Sequence, residues 1–369
     1  MRAVITGPTV GHLRPRFDKV ERIALLRGGG LGDLIGALPA AESLTAAYPD
    51  AAITLLGTPQ HATLFEGRPS PFADVAVLPI HPGVRDGAED PGATARFLTA
   101  MRDRRFDLAV QVHGGGRNSN PFLLALGARH TVGTRTDDAA PLERNLPYLY
   151  HQHEVLRALE VVALAGAAPV RLEPQVHLSA AETARVRAAD RSVVALHPGA
   201  TDPRRRWPAD NFAEVAAALA GQDREVVVVG DPSEQDLAAD VVRRAHERGA
   251  SPHQVCSRAG RLSLSELITL LAGCALLVAN DSGPRHLAAA LGTPTASIYW
   301  FGNVINFGPL SRGRHRVQLG WTTECPVCGA DCTQVGWTAE RCPHDDSFVA
   351  GVPVEAVLAD ACALLTGGG

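Results

Sequence analysis

The chain has 369 residues, 46% of them hydrophobic, and a formal net charge of −4. That length fits two domains of ~100–200 residues, each able to bury its own core. A slightly acidic chain without a large basic patch excludes a nucleic-acid binder held by electrostatics, and no stretch approaches the ~20 uninterrupted apolar residues of a membrane span.

In chain order, strand-like and helix-like runs alternate. The first half reads as strand Arg22–Leu26, helix Leu34–Ala47, strands Ala52–Leu56 and Asp74–Pro79, helix Thr94–Arg104 and strand Asp107–Val112. Helix Pro121–Leu126, a short strand near Thr131–Gly133 and a helix around Val155–Ala165 follow. Short apolar strands with helices between them predict an α/β fold whose parallel sheet is covered on both faces. Pro169 and Pro174 mark a joint, and Ser179 followed by Glu182 is a capping-box signature for the helix after it. The alternation then restarts through Val193–Leu196, Phe212–Leu219, Glu225–Val229, Leu237–Arg248, Leu264–Leu271, Ala275–Ala279, Arg285–Leu291 and Thr295–Tyr299. Two doubly wound units in tandem are expected, 1–172 and 173–350, with ligands at strand carboxyl ends. Residues 351–369 carry a helical apolar stripe, Val354, Val357, Leu358, Ala361 and Leu364.

The first strand runs into Arg27-Gly28-Gly29-Gly30-Leu31-Gly32-Asp33. A dinucleotide fingerprint starting at Gly28 needs a small residue where Asp33 stands, and no Gly-Lys-Ser/Thr follows for a P-loop. What remains is a backbone open to close approach and one carboxylate at a helix start. Asp33 reads either as a helix cap or as a base, ionised among helix N–H groups and able to take a proton from an attacking hydroxyl.

In the second half, strand Val193–Leu196 leads to His197-Pro198-Gly199-Ala200-Thr201 and then Arg204-Arg205-Arg206-Trp207-Pro208. Three arginines, a hydroxyl and a glycine turn at a strand end suit a diphosphate; the competing reading is a solvated charge run, strongest for Arg204 and Arg205. Strand Ala275–Ala279 leads to Asn280-Asp281-Ser282-Gly283-Pro284-Arg285-His286 at a helix start, an anion site by construction. His286 reads as structural or as a phosphate or base contact.

Cys325, Cys328, Cys332 and Cys342 form C-x2-C-x3-C-x9-C, with His344 two residues beyond. The knuckle Cys-Pro-Val-Cys-Gly aims two thiolates at one metal, and a structural zinc is the leading reading. Buried free thiols, a labile disulfide and an iron–sulfur cluster remain open.

Four segments together resemble glycosyltransferase family 9, the group that includes the lipopolysaccharide heptosyltransferases. They are Gly30-Leu31-Gly32-Asp33 with Ala37-Leu38-Pro39, His197-Pro198-Gly199 with Arg206-Trp207-Pro208, Val228-Val229-Gly230, and Asn280 through Ala288. The resemblance implies a GT-B fold of two facing Rossmann-like domains and a C-terminal helix crossing back to the first. It implies acceptor binding by the first domain, nucleotide-sugar binding by the second, and an inverting transfer that needs no catalytic metal or other cofactor. Asp33 matches the general base. Thr201 and Arg206 match phosphate contacts. Gly32, Ser282, Gly283 and His286 match donor-binding positions, and Asp281 a residue touching the donor sugar. The ribose-binding acid falls on Asp231 or Glu234. ADP-heptose is the implied donor and a cell-envelope saccharide or glycolipid the implied acceptor, with at most peripheral membrane contact; with no secretory signal visible and no apolar run of span length, the expected location is the cytoplasm. Two departures stand out: Trp300-Phe301-Gly302-Asn303 is bulkier than the glycine-rich turn of the family, and His113 to Asn120 carries no signature of a lipopolysaccharide-core binder. Rival readings are a sugar-nucleotide epimerase or hydrolase of similar fold, and a nucleotide-sugar-binding protein without turnover.

Overall fold

The computed structural model describes residues 10–188, 192–335 and 338–367. They form two compact units that divide after Pro174. The first holds β1 (Arg22–Leu26), β2 (Ala52–Gly57), β3 (Asp74–Val77), β4 (Leu108–Gln111), β5 (His130–Arg135) and β6 (Arg144–Pro147), in the order β3-β2-β1-β4-β5-β6. The second holds β7 (Val194–His197), β8 (Val226–Val228), β9 (Val255–Ser257), β10 (Leu276–Asn280), β11 (Thr295–Trp300) and β12 (His315–Gly320), in the order β12-β11-β10-β7-β8-β9. Every pairing is parallel.

Parallel strands connected by helices have both faces covered, so central strands read as unbroken apolar runs. Ile23 to Leu26 of β1 and Leu276 to Ala279 of β10 are fully buried. In each sheet the strand order reverses beside the first strand of the unit, between β1 and β4 and between β7 and β10. Chain leaving neighbouring strands there diverges to opposite sides, which opens a crevice at the carboxyl ends. The Asp33 loop leaves β1, and the His197 and Asp281 turns leave β7 and β10.

Five elements escape the sequence reading: the helix Pro59–Phe65, the helix Phe301–Phe307, and strands β6, β9 and β12. The three strands lie at or next to sheet edges, where Arg144-Asn145-Leu146-Pro147 or Val255-Cys256-Ser257 needs no apolar run to be covered. The capping box at Ser179 forms: the Ser179 N–H donates to Glu182 at 2.9 Å and the Glu182 N–H to Ser179 Oγ at 3.2 Å.

The last helix is Val354–Leu365, and its Val357 and Ala361 join the second unit's core of Val194, Phe212, Val278 and Ile298. Its stripe is short and its facing partners are β11 and the helix Ala209–Ala220. No helix among the described residues is long and apolar enough to cross a membrane.

Trp207 anchors this core. It is 1% exposed, meets Phe212 edge-on at 5.2 Å, and donates its indole N–H to the Val352 carbonyl at 3.0 Å. Trp207→Ala should therefore cost ~3–5 kcal/mol, read by urea unfolding. Trp207→Phe should recover part of that and leave the Val352 carbonyl unpaired. A loss below ~1 kcal/mol for the alanine variant contradicts this account of the core.

Candidate active site

In the first unit, Gly30 precedes the helix Leu31–Ala47 and Asp33 is its third residue. The Gly30 N–H donates to Asp33 Oδ2 at 2.9 Å, while Arg27 Nη2 donates to Oδ1 at 2.7 Å. Asp33 is thus both the cap and a candidate base. Gly29 makes the loop possible: its φ is +84°, and a Cβ there would stand 2.6 Å from Asp33 Oδ2. Burial pushes the Asp33 carboxyl up, but the Arg27 guanidinium, the Gly30 N–H and His113 outweigh it and hold it below its ordinary value. It is ionised at neutral pH.

Arg27 is buried and shared. Its Nη1 donates to Val112 O and to Glu154 at 3.2 Å, and Glu154 in turn pairs with the buried Arg157. The result is an alternating chain of charges: Asp33, Arg27, Glu154, Arg157. Two histidines flank it. The Thr58 N–H donates to His61 Nδ1 at 3.1 Å, so His61 Nε2 carries the proton and donates to Gly30 O at 3.2 Å. Burial pulls both His61 and His113 down to about 4, so both are neutral beside the loop at neutral pH.

In the second unit the three arginines separate by task. Arg204 clasps Asp202 with Nε and Nη2, at 3.0 and 2.6 Å. Arg206 donates Nε to Ala200 O at 2.9 Å. Arg205 reaches across to Asp281 at 3.0 Å. Asp281 is 3% exposed, and its second oxygen accepts from His286 Nε2 at 3.1 Å. Burial raises its carboxyl, but His286, Arg205 and Arg285 bring it below the usual range. Both oxygens of Asp281, expected to touch the donor sugar, are hydrogen-bonded in the structure, one to Arg205 and one to His286. Arg205, for which a solvated charge was the competing reading, is the arginine drawn into the cluster.

Beside them runs a second acid–histidine line. His197 Nε2 lies 3.1 Å from Glu234 and His197 Nδ1 lies 3.0 Å from Ser282 Oγ. A carboxylate only accepts, so Nε2–H donates to Glu234, and in the neutral ring Nδ1 accepts from the Ser282 hydroxyl. Glu234 lies so close under the β7 turn that a Cβ on Gly199 would stand 1.7 Å from its Oε1. Of the two candidate acids after β8, Asp231 is spent on its own turn, accepting from the Ser233 N–H at 2.7 Å, and Glu234 faces the site. Thr201 is exposed at the start of the arginine turn, and Ser282 and Gly283 open the helix Gly283–Ala290. The sequence reading gave no site role to Arg27, Glu154 or His197, although His197 stood in one of the four matching segments; Glu234 entered as one of two candidate acids after β8, and its capping-box spacing from Asp231 is a local signal for it.

The cysteine cluster forms, with one change. Ligand atoms of Cys325, Cys328, Cys342 and His344 lie within 4.8 Å of one another. Cys332 is not among them: its N–H pairs with Thr323 O at 2.8 Å, its thiol donates to Ala330 O at 3.4 Å, and it packs beside Phe348. His344 takes its place.

Comparison with known proteins agrees with this architecture. Residues 94–333 match glycosyltransferase family 9 (heptosyltransferase). The lipopolysaccharide heptosyltransferase 2 of Salmonella typhimurium is 24% identical over 331 residues, 82% of this chain and 92% of that protein. The structure of E. coli ADP-heptose lipopolysaccharide heptosyltransferase II aligns with a TM-score of 0.71 at 20% identity, over 94% of this chain and 99% of that one. TibC, an iron-containing dodecameric glycosyltransferase of enterotoxigenic E. coli, aligns with a TM-score of 0.55 at 14% identity, over 95% of this chain and 80% of that one.

Glu154 is the test of the charge chain. Glu154→Gln leaves two buried guanidinium groups without their shared counter-charge, so it should destabilise the protein by ~3–5 kcal/mol in urea unfolding. A change within ~0.5 kcal/mol means Arg27 and Arg157 are compensated elsewhere.

With two doubly wound parallel units in the GT-B manner, and a family match across most of its length, the chain is a glycosyltransferase and belongs to glycosyltransferase family 9.

Proposed function

We propose that the chain transfers a heptose from ADP-heptose to a hydroxyl of a lipopolysaccharide-type acceptor, with inversion at the anomeric carbon. The observation that carries the mechanism is Asp33, an ionised carboxylate fixed at the exit of β1 by the Gly30 N–H and Arg27. The names of the relatives support donor and acceptor; the residues support the chemistry.

The donor diphosphate is assigned to the β7 and β10 turns of the second unit, where Thr201, Arg205, Arg206, Ser282, Gly283 and His286 stand. Glu234 is assigned to the ribose hydroxyls. The acceptor oxygen attacks the anomeric carbon opposite the diphosphate as Asp33 takes its proton. The anomeric carbon–oxygen bond breaks, and its electron pair passes to the leaving phosphate. Arg205, Arg206 and the N–H groups opening the helix Gly283–Ala290 stabilise that growing charge more than they stabilise the bound donor.

Cys325, Cys328, Cys342 and His344 are assigned to a metal that takes no part in transfer. Three thiolates and an imidazole are a donor set for zinc or iron, and tetrahedral bonds of ~2.3 Å place ligand atoms about 3.8 Å apart. The 3.6 Å between Cys325 Sγ and His344 Nδ1 is of that order. Such a metal holds the chain locally.

Asp33→Asn should reduce turnover with ADP-heptose by ~10²–10⁴-fold and leave ADP binding unchanged by calorimetry; normal turnover in this variant removes Asp33 as the base. For the donor site, Arg205→Ala should weaken ADP binding by about 10–100-fold, the worth of a charge-assisted hydrogen bond. Loss of affinity in Arg206→Ala but not in Arg205→Ala transfers the phosphate contact to Arg206.

A further inference from the structure

We infer that the metal cluster braces the phosphate turn of the second unit, so that metal loading sets how tightly the chain holds a nucleoside diphosphate. The inference rests on the donor-site reading above and adds a dependence that reading does not require.

The phosphate turn is weak by itself. Pro203–Arg205 is a single 3-10 turn, closed by the Arg206 N–H to Pro203 O at 3.0 Å. One such turn fixes several backbone angles for very few hydrogen bonds, so its geometry is set from outside. The outside support is the segment just after His344. Ser347 donates its hydroxyl to Arg206 O at 2.6 Å, and the Phe348 N–H donates to Arg204 O at 2.7 Å. The carbonyls on both sides of Arg205 are therefore held by two consecutive residues. The Phe348 ring also lies under the Arg204 guanidinium, 5.1 Å from its centroid.

The same two residues lead directly into the cluster. Phe348 packs in a small core with Cys325 and Cys332, against Trp300 and Cys342. Thr322 donates to Phe348 O at 2.8 Å, and Trp300 donates its indole N–H to Thr322 O at 2.7 Å. From Cys328 to His344 the described residues form no helix or strand. On the far side Val349 and Val352 are built into the core of the second unit; on the near side, without a metal, the small core and the knuckle's own hydrogen bonds hold the chain that leads into Ser347 and Phe348. A metal joining Cys325 and Cys328 to Cys342 and His344 closes this loop, and closure of an irregular loop is where binding energy becomes folding energy.

The experiment is ADP titration by calorimetry of the full chain, metal-loaded and metal-free, with metal content measured on the same samples. One equivalent of zinc or iron is expected. Removing it with a chelator under reducing conditions should weaken ADP binding at least about tenfold while the far-ultraviolet circular dichroism is retained, and adding the metal back should restore affinity. Ser347→Ala guards against simple unfolding: it should keep its metal and still lose about 2–10-fold in ADP affinity, the worth of one hydrogen bond. ADP affinity within twofold in both the metal-free chain and Ser347→Ala overturns the brace and leaves the donor site standing. Metal well below one equivalent in a chain that binds ADP overturns it equally. A loaded chain that binds no ADP brings down the donor-site reading, and the brace with it.

Discussion

Asn280 ends β10 fully buried, and a primary amide in that position has donors and an acceptor that must all be met. Its Nδ2 donates to Pro198 O at 2.7 Å and lies 3.4 Å from Gly199 O, while its Oδ1 accepts the Trp207 N–H at 3.1 Å. One side chain thus fixes where the arginine turn leaves β7 and where it enters the next helix. The nine residues between 198 and 208 form a bridge with both ends fastened to the strand that carries the other half of the site. An aspartate there would place a charge against two carbonyls, and a leucine would leave three polar groups unpaired; each such loss is of order 1–3 kcal/mol. The span of the bridge, where Arg205 sits, is the part held by residues 347 and 348.

Between these fixed ends each carboxylate has its hydrogen-bonding partners before any ligand arrives. Asp281 is matched by Arg205 and His286, and Glu234 by His197. An isolated buried carboxylate is costly, and so is an unpaired cation beside it. In the donor site we propose, an entering diphosphate competes with Asp281 for Arg205, and its own charge replaces the one it displaces. Glu234 stays fixed because its partner comes from the opposite direction and its own helix start also binds it, through the Asp231 N–H at 2.9 Å. Gly199 belongs to the same constraint: the carboxylate occupies the volume any side chain there would fill.

What the sequence revealed follows from which physics is local. Apolar runs betray a central parallel strand, so β1, β4, β7, β10 and β11 were legible, and Ser179 with Glu182 announced a helix start through a contact three residues long. The edge strands β6, β9 and β12 were not, because an edge strand needs no such run, while the edge strand β3 was read from its Val75-Ala76-Val77. The site divided the same way. Asp33, Ser282 and His286 were singled out from their place after strands. Arg205 and Arg206 are adjacent in sequence, and only the 76-residue separation between Arg205 and Asp281 decides which one enters the cluster. Arg27 and Glu154 are 127 residues apart, and no spacing rule reaches that far. His344 in place of Cys332 has a nearer cause: the antiparallel bridge of Glu324 and Asp331 turns Cys332 back beside Thr323, away from the other thiols.

The pairing of Arg27 with Asp33 works against the role we assign to Asp33 unless its purpose is geometric. A carboxyl with an ordinary value near 3.8 is already ionised at neutral pH, so lowering it further adds no reactive population and removes proton affinity. What Arg27 contributes is direction. It fixes one oxygen while the Gly30 N–H fixes the other, and a base whose carboxylate cannot rotate presents the same lone pairs to each acceptor. Glu154 limits the cost of that arrangement. By taking the other side of the Arg27 guanidinium and drawing in Arg157 as well, it divides the positive charge between two carboxylates. At neutral pH burial keeps His61 and His113 neutral, and His113 adds positive charge beside Asp33 only in acid, at about 4 and below. The loop therefore holds the carboxylate tightly in position while keeping the positive field on it as small as one arginine allows.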